Sequence, residues 1–298
     1  MTRRGLLLFI AMSVIWGIPY LFIRIAVADL HPAVLVFART GLGALILLPI
    51  ALARHEVRGV ARYWLPLVTF AAVEVGIPWL ALASAEQHIT SSLAGLLISA
   101  VPLVGVVIAT ALGNREHLGA ASLTGLVLGL VGVAAIVGFD LRASDWLALV
   151  EIGIVAICYA AGPVILSRYL SDLPSVAVIA VALTICALAY TPVAIAQRPH
   201  SIPSNGVIGS VAVLAIVCTA VAFLLFFALI AEIGPVRATV ITYINPAVAA
   251  ILGIAVLHEG FTLGMAFGFL LVIAGSVLAT RRRAGTGAHQ EQAPARQR

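Results

Sequence analysis

The chain has 298 residues, of which 62% are hydrophobic and only 10% are charged, whereas soluble globular domains average about 25% charged residues. This composition excludes a soluble globular protein, because so few charged side chains cannot cover a water-exposed surface of that size. The formal net charge of +5 does not indicate a nucleic-acid partner, because the arginines fall between apolar runs instead of forming one basic patch.

Ten apolar runs are long enough to cross a ~30 Å hydrocarbon core as helices of about 20 residues each. In chain order they cover residues 5–27, 33–53, 64–84, 91–112, 118–138, 146–166, 176–196, 207–230, 236–257 and 260–280. The links between them are short, so successive spans run antiparallel. The sequence therefore predicts an all-α integral membrane protein with ten transmembrane helices in a lipid bilayer.

The first run also has features of a cleaved signal peptide. Arg3 and Arg4 precede an apolar stretch that ends in a small-residue sequence around Ala28, which is typical of a cleavage site. Arg24, however, is out of place in the hydrophobic region of a signal peptide. An uncleaved first span is therefore the favoured interpretation.

The arginines of the links predict the orientation, because cytoplasmic loops carry an excess of basic residues. If the N-terminus is cytoplasmic, eleven arginines fall on the cytoplasmic side and three on the other. The eleven are Arg3, Arg4, Arg54, Arg58, Arg62, Arg115, Arg168, Arg237, Arg281, Arg282 and Arg283, and the three are Arg24, Arg142 and Arg198. We therefore expect a multi-pass protein of the cytoplasmic membrane with both termini cytoplasmic.

An internal repeat appears when the chain is shifted against itself by 143–144 residues. The shift aligns Pro102 with Pro246, Glu116 with Glu259, Gly125 with Gly268, and Gly132 with Gly275. Each half has five spans, an odd number, so the two halves insert in opposite directions. Inverted repeats of this kind are typical of secondary transporters. We predict a first repeat over residues 1–140, a second over 141–283, and a disordered cytoplasmic tail over 284–298.

Four passages and one short motif give the chain a family likeness. They are Ile15-Trp16-Gly17 with Arg24, Arg39 with Pro49, Ala85–Glu116, Glu232–Glu259, and Thr219-Ala220. Together they resemble the EamA-type branch of the drug/metabolite transporter superfamily over almost the whole chain. The resemblance implies ten helices around a central cavity and export of amino acids, other metabolites or drug-like amines, coupled to a proton or other ion gradient.

The sequence thus favours a secondary transporter that exports amino acids or related amines by alternating access. Metabolite uptake and lipid or nucleotide-sugar translocation are the alternatives within transport. An intramembrane enzyme is disfavoured, because no paired aspartates, nucleophile–base pair or metal-ligand spacing lies within a span. A non-transporting membrane subunit would not require an inverted repeat. No cofactor or metal is expected.

Glu74 is the strongest candidate for substrate or proton binding. It stands about ten residues into the third span, about 15 Å along a helix axis, where a carboxyl must face a cavity, pair with a cation or stay protonated. Gly76 and Pro78 follow it and can interrupt the helix. The alternative is a structural ion pair with Arg39. The repeat counterpart of Glu74 is Cys218, so the halves differ in charge at this position.

Further residues are predicted to line the cavity or to shape it. The substrate-binding candidates besides Glu74 are Trp16, Tyr20, Trp79, Tyr159, Thr219, Tyr243 and Asn245, with Thr242 as another deep polar residue. The structural or gating candidates are Arg39, Pro102, Pro246, Glu116 and Glu259, with Pro102 and Pro246 expected to bend spans four and nine. We expect Glu116 and Glu259 to cap the N-termini of spans five and ten.

Small-residue motifs predict close helix contacts. Gly125-x3-Gly129 and Gly264-x3-Gly268 permit two helices to approach closely. Packing within one bundle is the first interpretation, and a homo-oligomer seam is the second.

Overall fold

The computed structural model describes residues 2–111, 120–140 and 146–280. In these ranges the chain forms ten helices that are long and apolar enough to cross a membrane, which confirms the predicted all-α fold. They are α1 Arg3–Ala26, α2 Pro32–Ala53, α3 Val60–Ala85, α4 Ser91–Ala111, α5 Ala120–Gly138, α6 Trp146–Tyr169, α7 Ser175–Ala196, α8 Asn205–Ile233, α9 Thr239–Leu257 and α10 Leu263–Thr280. Glu116 and the predicted tail 284–298 lie outside the described residues.

The packing of the helices follows the predicted repeat. Helices α2, α4 and α5 of the first half pack against their counterparts α7, α9 and α10 of the second half. Helix α3 packs against α6, and α1 packs against α8. The repeat makes α6 the counterpart of α1 and α8 the counterpart of α3, so these two contacts are equivalent. Five spans in each half make the halves inverted. The core of the protein is therefore an interface between the two repeats.

Glycines bring α5 and α10 into backbone contact. A Cβ atom built on Gly132 would lie 2.7 Å from the carbonyl oxygen of Gly268, and one built on Gly275 would lie 2.6 Å from the carbonyl oxygen of Gly125. Any side chain at these positions would push the helices apart. The repeat-matched glycines thus pack against each other within one bundle, as the first interpretation of these motifs predicted.

We expect Gly132→Ala to destabilise the folded protein, because its methyl group would meet the backbone of α10. Overpacking of this kind costs about 1–3 kcal/mol, which a thermal unfolding measurement in detergent can detect. Gly138→Ala is the matched control, since it lies on the same helix and its Cβ would have no neighbour within 4 Å. Equal stabilities of the two variants would contradict the close approach.

Helices α1, α4 and α9 each change or break their helical geometry just before a proline. Helix α1 is divided into Arg3–Ile15 and Pro19–Ala26, and α4 into Ser91–Ile98 and Val101–Ala111, which contains Pro102. Helix α9 begins as a 3₁₀ turn, Thr239–Tyr243, and continues as Asn245–Leu257 with Pro246 in its first turn. Proline is tolerated at the start of a helix because the missing N–H would have no intrahelical acceptor there.

Two π-helical turns occupy equivalent places in the two halves. They are Ala71–Gly76 in α3 and Ile216–Val221 in α8. Single π-turns within α-helices are frequent at functional sites, because they turn side chains and carbonyl groups out of the regular ladder. The first contains Glu74, and the second contains Cys218 and Thr219, the residues that the repeat aligns with this region.

The outer surface of the bundle is apolar. Leu45, Leu188 and Leu270, from α2, α7 and α10, are 72%, 68% and 63% exposed. In water such side chains would favour aggregation, whereas lipid tails are as apolar as leucine. These faces suit contact with the bilayer, whereas buried polar side chains such as Arg39, Thr219 and Asn245 lie inside the bundle.

Candidate functional site

Arg39 lies at the centre of a buried cluster where α2 meets α3 and α8. Its side chain is 7% exposed. Its Nε donates a hydrogen bond of 3.0 Å to Oγ1 of Thr219. Its Cζ lies 3.6 Å from the centroid of the Trp79 ring, so the guanidinium stacks on the indole as a cation–π pair. Two of the predicted substrate-binding residues thus fix the position of a buried cation.

The charge of Arg39 is not balanced by an adjacent carboxylate. Among residues 2–111, 120–140 and 146–280 it forms no ion pair, and its two Nη atoms make no hydrogen bond. Glu86 acts on it electrostatically from a longer distance. The alternative that Glu74 serves as a structural partner of Arg39 is therefore wrong. A buried guanidinium with most of its donors unused is costly unless a ligand completes it.

Glu74 lies in the π-turn of α3 and faces α6. Its Oε2 is buried and has no hydrogen-bond partner in the described part of the chain. A methyl group on Gly162 would overlap this oxygen, so the absence of a side chain at Gly162 makes the space that the carboxyl occupies. Cys158 and Tyr159, one turn earlier on α6, interact with the carboxyl electrostatically.

Hydrogen bonds from side chains to backbone carbonyl oxygens stabilise the two π-turns. The thiol of Cys186 donates to the carbonyl oxygen of Ala71 at 3.2 Å, and the hydroxyl of Tyr190 donates to that of Gly76 at 3.1 Å. In α8, Oγ1 of Thr219 donates to the carbonyl oxygen of Leu214 at 2.8 Å. Carbonyls freed by the irregular turns thus receive donors, which a buried backbone requires in a membrane.

Tyr20 and Tyr159 belong to the same cluster, whereas Trp16 does not. The hydroxyls of both tyrosines lie close enough to the Arg39 guanidinium to interact with it electrostatically. Tyr159 also interacts electrostatically with Glu74, so it belongs to the surroundings of both ionisable side chains. Trp16 instead packs on Phe223 and Phe226 of α8, with ring centroids 5.9 and 4.6 Å away, which is ordinary aromatic packing.

The candidates on α9 have mainly local partners. With its amide oriented to pair donor with acceptor, Asn245 donates to the carbonyl oxygens of Ser13 at 3.0 Å and Ile241 at 2.9 Å. Thr242, expected to be deep, is exposed and donates to the carbonyl oxygen of Thr239. Tyr243 is partly exposed in the 3₁₀ turn. Asn245 therefore ties α9 to α1 at the point where both helices are interrupted.

Glu259 forms a cap on a helix other than the expected one. Its Oε1 accepts hydrogen bonds from the backbone N–H and the hydroxyl of Ser91, at 2.8 and 3.0 Å, and its Oε2 accepts from those of Ser92, at 2.9 and 2.6 Å. The prediction that Glu259 caps α10 is thus wrong, since Thr262 accepts from the Met265 N–H there. The carboxylate joins the α9–α10 link to the N-terminus of α4.

Sequence reasoning missed Glu86, which lies at the same end of the bundle directly after α3. Its side chain is fully buried and neither carboxyl oxygen has a hydrogen-bond partner in the ranges described. Arg24 donates instead to its backbone carbonyl oxygen. Burial, reinforced by the nearby Glu259 carboxylate, raises the pKa of the Glu86 carboxyl well above its usual range. No helix pattern or spacing in the sequence distinguishes it from the other residues of the link that follows α3.

A cavity of about 430 Å³ opens at this end of the bundle, opposite Arg3 and Thr280. Charged and hydroxyl-bearing side chains line much of it. The lining comprises Arg24, Ile25, Ala28, Asp29, Thr90, Ser204, Val207, Leu257 and Glu259. The Glu259 cap therefore forms part of the wall of a polar vestibule at the mouth of the bundle.

Comparison with known proteins gives consistent matches. The model of the EamA-like transporter family matches residues 3–138 and 146–281, once for each half. A protein named uncharacterized inner membrane transporter YedA, from Escherichia coli K12 and from Escherichia coli O157:H7, is 27% identical over 250 residues, or 82% of this chain and 79% of the relative. One crystal structure shares the fold, with a TM-score of 0.66 and 20% identity over 94% of this chain and 97% of that chain.

Proposed function

Because the chain belongs to the EamA-like transporter family, we propose that it is a secondary transporter that moves small organic metabolites across the cytoplasmic membrane by alternating access. Two inverted halves meet along the core, and their rocking would expose a site between them to one side and then to the other. The repeats are assigned to residues 1–140 and 141–283. The arginine distribution supports cytoplasmic termini, which places the Glu86 and Glu259 end on the opposite side.

One observation carries the proposal most directly. A buried cation, Arg39, and a buried carboxyl, Glu74, lie with aromatic side chains at the junction of the halves and are each associated with a π-turn. Isolated ionisable groups within a membrane bundle are costly and are typical of substrate and ion pathways. We assign substrate contact to Glu74, Trp79, Tyr20, Tyr159 and Thr219.

Other candidate residues receive supporting roles. Trp16, Tyr243 and Asn245 have packing or hydrogen-bond partners that favour a structural contribution at the interruptions of α1 and α9. Pro102 and Pro246 set the matching interruptions in α4 and α9. Glu259 holds α4 to the α9–α10 link and must release it if this end of the bundle opens.

The preferred cargo is an amino acid or a related amine, and the preferred direction is export. A positive and a negative group together suit polar organic solutes that carry an ammonium, and one carboxyl also suffices to bind a coupling proton. Uptake of the same metabolites and translocation of lipids or nucleotide sugars are the competing functions.

Purified protein in liposomes tests the proposal. Counterflow of labelled amino acids and amines should clearly exceed that of protein-free liposomes and should respond to an imposed pH gradient. The same liposomes are also tested with nucleotide sugars and fluorescent lipids, which represent the competing functions. Movement of those compounds alone would favour the alternative cargo, and no movement of any solute would contradict a transport function.

A further inference from the structure

Two acids at the vestibule end of the bundle have opposite surroundings. Glu259 accepts four hydrogen bonds from Ser91 and Ser92, an arrangement that suits an ionised carboxylate. Glu86 is fully buried, and neither of its carboxyl oxygens has a hydrogen-bond partner in the part of the chain that the structure describes. A buried carboxylate without donors is strongly unfavourable, whereas a protonated carboxyl carries no charge. The surroundings of Glu86 therefore favour its neutral form.

The ionisable groups that act on Glu86 come from three other parts of the chain. Arg24 of α1 donates to the backbone carbonyl oxygen of Glu86. Tyr20 of α1, Arg39 of α2 and Glu259 of the α9–α10 link interact with its carboxyl electrostatically. Burial raises the pKa of the Glu86 carboxyl well above its usual range, and the Glu259 carboxylate raises it further. The two arginines lower the pKa without reversing this shift.

The contacts of Glu259 hold the vestibule end together. Its carboxylate joins the α9–α10 link of the second half to Ser91 and Ser92, which start α4 of the first half. Ile89 and Leu93, which flank these serines in the chain, are buried in an apolar cluster that spans both halves. This end of the bundle is therefore closed in the structure, and opening it requires that the carboxylate leave the two serines.

We propose that Glu86 is a proton-binding site at the vestibule end, and that its proton keeps this end closed. When water in the vestibule accepts the proton, the new carboxylate repels that of Glu259 and attracts the guanidinium of Arg24. Arg24 already contacts the backbone of Glu86 and lines the vestibule, as Glu259 does. Repulsion of Glu259 weakens its hold on α4. The site rests on the transport function proposed above, to which it adds a pH-sensitive gate.

The direction of the pH effect follows from the two forms of this end. Burial raises the pKa of Glu86 in the closed form, whereas water reaches the carboxyl in an open form, so the closed form binds the proton more tightly. The contribution of the proton to closure is complete below the usual pKa of glutamic acid, about 4.3. It is lost as the pH rises through the raised value. Low pH therefore closes the vestibule end, and high pH opens it.

Infrared spectroscopy and hydrogen exchange on the full-length protein in nanodiscs, without any solute, test the site. At about pH 7, the spectrum should contain the C=O stretch of a protonated carboxyl that Glu86→Gln removes. Protection factors of the Ser91 and Ser92 amides, which are corrected for the intrinsic pH dependence of exchange, report closure. We expect them to fall at least about tenfold between about pH 5 and pH 9, because a tenfold difference in proton affinity between two forms changes their equilibrium tenfold.

Three variants assign this response to Glu86. Glu86→Gln resembles the protonated side chain and cannot ionise, so protection should no longer depend on pH. Glu56→Gln is the matched control, since Glu56 has a buried carboxyl oxygen without a partner and lies near Arg54 at the other end of the bundle; the full pH response should remain. Arg24→Gln should move the loss of protection to higher pH, because the cation favours the ionised carboxyl. This shift tests the site even if Glu86→Gln fails to fold.

Three results would overturn the proton site. They are a spectrum at neutral pH without a protonated carboxyl that depends on Glu86, wild-type protection that is independent of pH, and a pH response that persists in Glu86→Gln. The last result would point instead to His88 and His258, which lie close in the chain to the two acids.

Liposome counterflow separates the failure of this gate from the failure of transport. If solutes move while the protection of the two serine amides is independent of pH, the transport function stands and the gate fails. If the protection follows the protonation of Glu86 and no solute moves, the proton site is supported and the transport function fails.

Discussion

Gly162→Ala should abolish most transport while leaving the protein folded. The added methyl group would overlap Oε2 of Glu74 and would lie 2.9 Å from its Cδ. Since these atoms form the far end of a flexible side chain, the carboxyl can rotate away at low cost to the fold. The site would lose the Glu74 carboxyl from its present position. We expect uptake of the solute identified in liposomes to fall at least about tenfold, since misplacing a charge-assisted contact costs about 1.5–3 kcal/mol.

A second glycine on the same helix provides the control. The Cβ of Gly153→Ala would have no neighbour within 4 Å, so this variant should transport normally and should unfold at the wild-type temperature. Unchanged transport by Gly162→Ala would show that the position of the Glu74 carboxyl does not matter. If Gly162→Ala lost stability as well, adding Glu74→Ala would remove the overlapping atoms and should restore the melting temperature without restoring transport.

The ten spans and their repeat could be predicted because their causes are local or periodic. Each span is recognised because its apolar run is long enough to cross the hydrocarbon core as a helix. The predicted limits of the spans differ from the observed ones by only a few residues. Matched glycines such as Gly132 and Gly275 indicated a close helix contact in the sequence, and they lie where the backbones of α5 and α10 meet. Only glycine permits backbones to approach so closely. Glycine at these positions therefore predicts a close helix contact from the sequence alone.

The contacts of the charged side chains could not be read from the sequence. Glu259 binds Ser91 and Ser92, which are 168 and 167 residues away, whereas a capping rule considers only the helix that follows. The sequence suggested that Glu74 pairs with Arg39. In the structure the Glu74 carboxyl instead packs against Gly162 of α6. The π-turns have no signal in helix propensity. Their equivalence in the two halves emerged only from the structure.

Glu259→Ala should destabilise the end of the bundle that lies opposite the termini. The substitution removes the acceptor of four hydrogen bonds and leaves the N–H groups of Ser91 and Ser92 without their carboxylate at the start of α4. Losing a charged acceptor from buried donors costs about 1.5–3 kcal/mol for each strong bond, with incomplete additivity. We expect a loss of about 2–4 kcal/mol in unfolding free energy, measured by thermal unfolding with hydrogen exchange of the two serine amides. Glu259→Gln should lose less, because one acceptor remains.

Glu232 provides a matched control for this substitution. Its carboxylate accepts from the Thr2 hydroxyl and lies 4.0 Å from Arg4 in an exposed setting at the other end of the bundle. Surface pairs of this kind contribute about 0–1 kcal/mol, so Glu232→Ala should change stability little. Adding Ser92→Ala to Glu259→Ala should cost much less than Ser92→Ala alone, because the two side chains share their strongest bond. Additive losses would mean that the Glu259 carboxylate does not hold α4.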